Sequence, residues 1–248
     1  MIKYNRIVAM ICYSTLSLVL ILTLVFFLIQ KKSKELNDKR ISLIDIVGEN
    51  YIFRGSNPLI TKNRIQVFAY EELTSYLDNY LSKQGRKNLS NGYYLIDISL
   101  LDLDEYYIIE EEKRFFSQNP KKGMTKNIST LSPNLLLAGL DDSNFIMKKF
   151  SDHYSKQVTK ILNQIHDPAL QQGDKPTVIY IHCDGGRDRT GLITAGYRLL
   201  FKDIGLSEAR LKNVQEVGRN SESFYYRAIG SYCLYVKNNY GKPDEYCD

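Results

Sequence analysis

The sequence predicts an α/β domain, a central and mainly parallel sheet flanked by helices, preceded by one transmembrane helix. Three observations carry this. β-branched and aromatic runs at Tyr93–Leu100 and Thr177–Cys183 alternate with stripes of apolar residues at helical spacing. A glycine-containing loop follows the second run, where a strand's C-terminal end opens toward a helix. Ile7–Ile29 holds 23 residues without a charge, long enough to cross the hydrocarbon core of a bilayer.

The apolar N-terminal run ends in Phe26-Phe27-Leu28-Ile29-Gln30 and then Lys31-Lys32. A cleaved signal peptide would have a shorter apolar region and a small-residue cleavage site. Residues 1–30 are therefore read as an uncleaved anchor, 31–40 as a charged linker and 41–248 as the catalytic domain. Lys3 and Arg6 flank one side of the run, against Lys31, Lys32, Lys34, Lys39 and Arg40 on the other. By the positive-inside rule this count places the domain in the cytoplasm. A short basic tail before an anchor is also a beginning used by extracytoplasmic enzymes, while a reducing cytoplasm suits a reactive thiol and favours the first placement.

A chain of 248 residues with 33 Lys and Arg against 28 Asp and Glu carries a net charge of +5. That suits an anionic substrate or membrane surface and is too mild for a nucleic-acid partner. Four cysteines are too few and too scattered for a disulfide framework. Cys12 lies in the membrane run, and Cys233 and Cys247 are expected to be free, since they could pair only in an oxidising compartment. Asn88-Leu89-Ser90 and Asn127-Ile128-Ser129 fit the glycosylation pattern but decide nothing.

Along the domain, Tyr51-Ile52-Phe53 reads as a short extended entry. Tyr70, Leu73, Leu77, Tyr80 and Leu81 mark an amphipathic helix ending near Ser82. Gly85 and Asn91-Gly92 punctuate the chain before the Tyr93–Leu100 strand. Leu101–Phe116 is acidic and aromatic, open between helix and loop, and Gln118–Gly123 is a basic turn. Leu135–Leu140 reads as a second short strand. Tyr154, Val158, Ile161, Leu162 and Ile165 form the next helical stripe, closed by Pro168 and Gly173. After the loop, from Thr190, Leu192, Ile193, Leu199 and Leu200 continue a buried helix. Ser207 is placed to cap another, and Tyr225, Ile229, Cys233 and Val236 lie along the last.

The chemistry concentrates in Thr177–Gly191, TVIYIHCDGGRDRTG. A strand-loop-helix unit that turns successive amides inward makes an anion nest, and the helix N-terminus adds partial positive charge. Phosphate is the natural occupant. Gly185 and Gly186 allow the tight turn, and the planar fork of Arg189 can grip two phosphate oxygens where lysine could not. Cys183 is the candidate nucleophile. A free thiol titrates near about 8.5, and such surroundings bring it lower; a shift of three units needs roughly 4 kcal/mol of differential stabilisation.

Cys183, five further residues and then Arg189-Thr190-Gly191 resemble the loop of the cysteine-dependent phosphatases, of protein tyrosine and dual-specificity type. The resemblance covers Phe150 to Tyr197, and Phe53–Pro58 (FRGSNP) is similar to the arginine-containing entry of dual-specificity enzymes, although a surface turn is the plainer reading. The resemblance implies a cysteinyl-phosphate intermediate, a loop buttressed by His182, a hydroxyl offered to the sulfur by Thr190, and substrate contacts from Asp184, Gly185, Gly186 and Arg187. It implies no cofactor and no metal.

A proton donor for the leaving oxygen is also required. Asp152, 31 residues before Cys183 in FSDHYS just before a helix, is similarly placed to the acid of tyrosine phosphatases, with Phe150 and Ser151 in place of Trp and Pro; otherwise it caps the helix. Asp188 is the competitor. A loop of the form Cys-x-x-Gly-x-Asp-Arg resembles myotubularins and bacterial phosphoinositide phosphatases, and Asp141 or Asp142 is a third choice. Arg187 stands where several phosphoinositide phosphatases carry a basic residue that meets a second phosphate, while Asp184 adds negative charge. The expected partners are a phosphorylated protein or, alternatively, a phosphoinositide. A catalytically inactive phosphate-binding module and a rhodanese-type sulfur transferase are the competing classes; the latter does not require the Arg-Thr-Gly ending.

Overall fold

The strand that ends in the nucleophile candidate runs through the middle of the sheet. In the computed structural model, which describes residues 35–63, 65–86, 89, 92–129, 145–167, 175–221 and 223–248, the elements in chain order are β1 (Ser42–Val47), β2 (Asn50–Ser56), β3 (Leu59–Lys62), β4 (Ile65–Phe68), α1 (Tyr70–Lys83), β5 (Tyr94–Ser99), α2 (Tyr106–Gln118), β6 (Gly123–Asn127), α3 (Phe145–His166), β7 (Thr177–Cys183), α4 (Asp188–Phe201), α5 (Leu206–Val217) and α6 (Ser223–Tyr240). Single 3-10 turns at Asp38–Arg40, Leu103–Glu105 and Asp244–Cys247 complete them.

The main sheet has the order β1-β2-β7-β5-β6. β2, β7, β5 and β6 are parallel, and β1 pairs antiparallel to β2 at the edge. β3 and β4 form a separate hairpin. Every residue of β7 is buried, as expected of a central strand covered on both faces. In register, Ser56 lies beside Cys183 and Ser99 beside His182, so the C-terminal ends of three parallel strands meet at the loop. The two faces differ. Phe53 meets Tyr80 of α1 edge to face, and His182 faces Glu112 of α2. Arg54, one residue on from Phe53, points the opposite way toward α4 and α5.

The sheet and the helices flanking it are thus as the sequence predicts, with Leu101–Phe116 resolved as a 3-10 turn and most of α2. The Leu135–Leu140 strand, Asp141, Asp142, Pro168 and Gly173 fall outside the described residues, as does Ile7–Ile29. No helix among the described residues is long and apolar enough to cross a membrane. Several local readings are corrected. Asp152 is not ahead of a helix: α3 begins at Phe145, and Asp152 is an exposed residue within it. Ser207 does not cap α5, whose N-cap is Gly205; its hydroxyl instead donates to the Asp248 carbonyl at 2.5 Å. α4 starts at Asp188, two residues before Thr190. Cys233 and Cys247 are not free but joined in a disulfide, because α6 and the last turn pack side by side around buried Tyr246, whose hydroxyl donates to the Leu199 carbonyl at 2.7 Å.

FRGSNP is no surface turn. It is the buried end of β2, and Arg54 is 0% exposed. Its guanidinium donates to Glu216 at 2.5 Å, Asn213 at 3.0 Å and Thr194 at 3.2 Å, and Arg198 pairs with the same Glu216 carboxylate. A buried arginine persists only where its charge is matched and its donors are used. Arg54→Ala should therefore lower stability by about 3 kcal/mol, the low end of the range for breaking a buried pair because Arg198 still compensates Glu216. A urea midpoint within error of the parent would contradict this.

Candidate active site

The loop from Cys183 to Arg189 is built by what holds its carbonyls. Asn57 donates its backbone N–H to the Asp184 carbonyl at 3.1 Å and its side-chain amide to the Asp184 carboxylate at 2.6 Å. Arg40 donates to the Gly185 carbonyl at 2.8 Å and Arg54 to the Gly186 carbonyl at 2.7 Å. In a trans peptide the following N–H points away from the carbonyl. Engaging three consecutive carbonyls on the outside therefore turns the amides of Gly185, Gly186 and Arg187 to the inner side, the condition for an anion nest. Gly186 has φ +62°, and a Cβ there would sit 2.3 Å from the Gly55 carbonyl oxygen and 2.6 Å from the Ser56 nitrogen. Only glycine fits so close to the β2 backbone.

An open cavity of about 440 Å³ is lined by Cys183, Asp184, Gly185, Arg187, Asp188, Arg189, Arg219 and Tyr225. Cys183 is 3% exposed and is the one free cysteine among the described residues. The structure brings it together with Arg189, Asp188, Arg187, Asp184 and Gly185 around this cavity. Gly186 shapes the loop from behind. Thr190 is buried in the first turn of α4, and its hydroxyl has no hydrogen-bond partner among the described residues. Asp152 does not line the cavity.

Arg189 is aimed by residues that sequence reasoning missed. Its two terminal nitrogens meet the Glu105 carboxylate at 2.5 and 2.7 Å, and one also meets Asp102 at 3.1 Å. Burial disfavours the guanidinium charge, but the Glu105 hydrogen bond, Cys183 and the two carboxylates together raise its pKa. Glu105 is itself fixed, accepting the Asp102 backbone N–H at 3.1 Å in a capping box. Other missed residues are Arg219, which pairs with Asp188 at 2.7 Å, and Tyr225, whose hydroxyl is pushed up to about 12, mainly by burial. Arg40 was read as part of a spacer, yet it grips the loop. Its pKa is lowered by burial and by the nearby Arg187 and Arg219. The FRGSNP phrase was the sequence signal for Arg54 and Asn57; the acid pair Asp102 and Glu105 carried none beyond local composition.

Beneath the nucleophile lies a second group. His182 Nε2 is 2.9 Å from Asp97 and 3.4 Å from Glu112, and all three side chains are 0% exposed. This is the one trio of acid and imidazole groups among the described residues whose atoms gather within 4.8 Å. Burial alone would lower the imidazole pKa; Asp97 and then Glu112 outweigh it and raise it to about 9. Burial and the Asp97 charge push Glu112 up to about 8. At neutral pH the trio therefore holds an imidazolium beside a neutral Glu112.

A thiol at the head of an anion nest, with an arginine held across it, can present a nucleophile to a bound phosphate ester. Residues 111–210 match the family model described as the tyrosine phosphatase family. That match spans 100 residues, less than half of the chain, and includes the whole of the Cys183–Arg189 loop. Among solved structures, the chain is similar to PTPMT1 in complex with PI(5)P at 13% identity and a TM-score of 0.46, covering 81% of this chain and 98% of that one. It is similar to the catalytic core of the PP-IP phosphatase SIW14 from S. cerevisiae at 16% identity and a TM-score of 0.41, covering 82% and 94%. Kinase associated phosphatase matches at 12% identity and a TM-score of 0.46, covering 85% and 97%. No curated protein matches.

The buried trio makes stability depend on pH. His182 is held at about 9 against an ordinary 6.5, so its contribution is whole below about 6.5 and lost as pH rises through about 9. Glu112, raised to about 8 from 4.5, acts in the same direction, because the folded state keeps a proton that the unfolded chain releases. The melting temperature should fall between pH 6.5 and 9.5. A rise across that interval would contradict the assignment.

Proposed function

We propose that the chain hydrolyses phosphate monoesters through a cysteinyl-phosphate intermediate, with phosphorylated proteins as substrates in the manner of tyrosine and dual-specificity phosphatases. The observation that carries this is the convergence of Cys183 and Arg189 on one cavity at the end of β7, in a loop whose Asp184, Gly185 and Gly186 carbonyls are tied outward. The amides and Arg189 bind the phosphoryl oxygens, Cys183 attacks phosphorus, and the leaving oxygen takes a proton. We assign that proton to Asp188, which lines the cavity, rather than to Asp152, which does not. An entering phosphate competes for Arg219, the partner of Asp188, and loosening that ion pair frees the Asp188 carboxyl to meet the leaving oxygen. In the second step water attacks the cysteinyl phosphorus, Asp188 takes its proton, and Thr190 offers its hydroxyl to the departing sulfur as inorganic phosphate is released.

A phosphoinositide substrate is the second reading. It is supported by Arg187 and Arg219, which line the cavity beside Arg189, more cationic groups than one phosphate requires. Residues 7–29 would anchor the enzyme at a membrane. The count of flanking lysines and arginines favours the cytoplasmic side, but the Cys233–Cys247 disulfide supports an oxidising compartment, and we place the domain there.

Phosphate release from phosphotyrosine peptides and from a phosphoinositide panel decides between the substrates. A preference for lipid headgroups would replace the first reading by the second. Cys183→Ser should abolish turnover, and Arg189→Ala should cut kcat/KM by at least about a hundredfold; near-normal hydrolysis by Cys183→Ser would sink the covalent mechanism. Asp188→Asn should lose about 10²–10⁴-fold on an alkyl phosphate and far less on an activated aryl phosphate. Equal losses on both, or a larger selective loss in Asp152→Asn, would remove Asp188 from the role.

A further inference from the structure

We propose that Asp97 and Glu112 are positioning residues for the nucleophile: the two buried carboxyl groups keep His182 charged directly behind Cys183, and α2 couples this to the grip on Arg189. The inference rests on Cys183 being the nucleophile and adds the device that prepares it.

The geometry begins with the helix. Glu105 and Glu112 are seven residues apart on the continuous run formed by the Leu103–Glu105 turn and α2. Seven residues are about two helical turns, so the two side chains project from one face roughly 10 Å apart along the axis. Glu105 takes Arg189, which ends the loop, while Glu112 reaches His182, the residue just before it. One rigid element therefore touches the two flanks of the seven-residue loop, and a displacement of α2 would disturb nucleophile and arginine together.

Asp97 comes from the neighbouring strand β5, beside Tyr180 in register. The groups facing the imidazole are Asp97 and Ser99 from β5, Glu112 from α2, Tyr180 from its own strand and the Cys183 sulfur. Tyr180 spends its hydroxyl on the Ser56 carbonyl at 2.8 Å and is held neutral, its pKa raised first by burial and then by Asp97. No aligned hydrogen bond among the described residues occupies the carboxyl oxygens of Asp97 and Glu112 or the ring nitrogens of His182. Two fully buried acids left without other work would be unfavourable unless they held a charge in place. That charge is the imidazolium, which Asp97, Glu112 and then the neighbouring Cys183 all favour.

The test uses the full chain in reductant and does not depend on turnover. His182 is one of three histidines, so its ring can be followed by NMR against pH, while alkylation of the Cys183 peptide by iodoacetamide is read by mass spectrometry. In the parent, His182 should remain charged at pH 7.5. Asp97→Asn should lower its midpoint by about one to three units and slow Cys183 alkylation at pH 6.5 by about tenfold or more. Glu112→Gln, an isostere of the neutral acid, should leave alkylation at pH 6 within about twofold, yet lower the His182 midpoint by about one unit. A neutral His182 at pH 7.5 in the parent, or an unchanged alkylation profile in folded Asp97→Asn, overturns the proposal. If Asp97→Asn does not fold, an unmoved His182 midpoint in Glu112→Gln overturns it. A parent Cys183 that alkylates like an ordinary thiol would instead count against the nucleophile reading itself.

Discussion

The loop after β7 depends on one constraint: its carbonyls must be satisfied from outside so that its amides can serve an anion within. An isolated seven-residue loop has no reason to keep that shape, because water would solvate carbonyls and amides alike. Here Asn57, Arg40 and Arg54 engage the carbonyls of residues 184, 185 and 186 in turn. Two of these donors are arginines, so the support also brings positive charge to the rear of a site meant for a dianion. The rest of the fold is arranged to deliver them. β2 lies parallel to β7 with Ser56 beside Cys183, which sets Arg54 and Asn57 at the right height. Glu216 and Asn213, on α5, hold the Arg54 guanidinium from the other side.

A buried arginine that serves a loop needs its own counter-ion, and that need propagates through the structure. Glu216 neutralises Arg54 and Arg198 together, tying β2, α4 and α5. On the opposite face the signs reverse: Asp97, Glu105 and Glu112 answer His182 and Arg189. The loop thus sits between an acid cluster that aims its two functional ends and an arginine cluster that holds its backbone. Neither cluster is exposed enough to be a surface ornament, and each would be unfavourable without the other's geometry. Among the described residues, Arg187, Arg219 and Tyr225 line the open cavity beside Cys183.

Much of this was legible in the chain because the informative residues are close in sequence. Cys183, Gly186, Arg189 and Thr190 lie within eight positions, and a strand-loop-helix unit dictates their arrangement by local backbone geometry alone. The α1 and α3 stripes and the β5 and β7 runs were readable for the same reason, since burial imposes a period on neighbouring residues. Asp152 shows the limit: its sequence distance from Cys183 matches that of a family acid, but distance along a chain does not say which face of a helix a carboxylate occupies. Cys233 and Cys247 show it again, because pairing two cysteines requires the docking of the last turn on α6, which no spacing rule contains.

By itself the sequence determined the fold class, the nest and the two residues that define its chemistry, because each rests on local periodicity or on a contiguous motif. Only the tertiary structure decided what supports them. Arg54 lies more than a hundred residues from the carbonyl it holds, Glu105 is 84 residues from Arg189, and Asp97 and Glu112 reach His182 from a neighbouring strand and a helix packed on the sheet. Those partners are chosen by strand order and helix docking, which bring charges together across distances along which sequence pattern carries no phase.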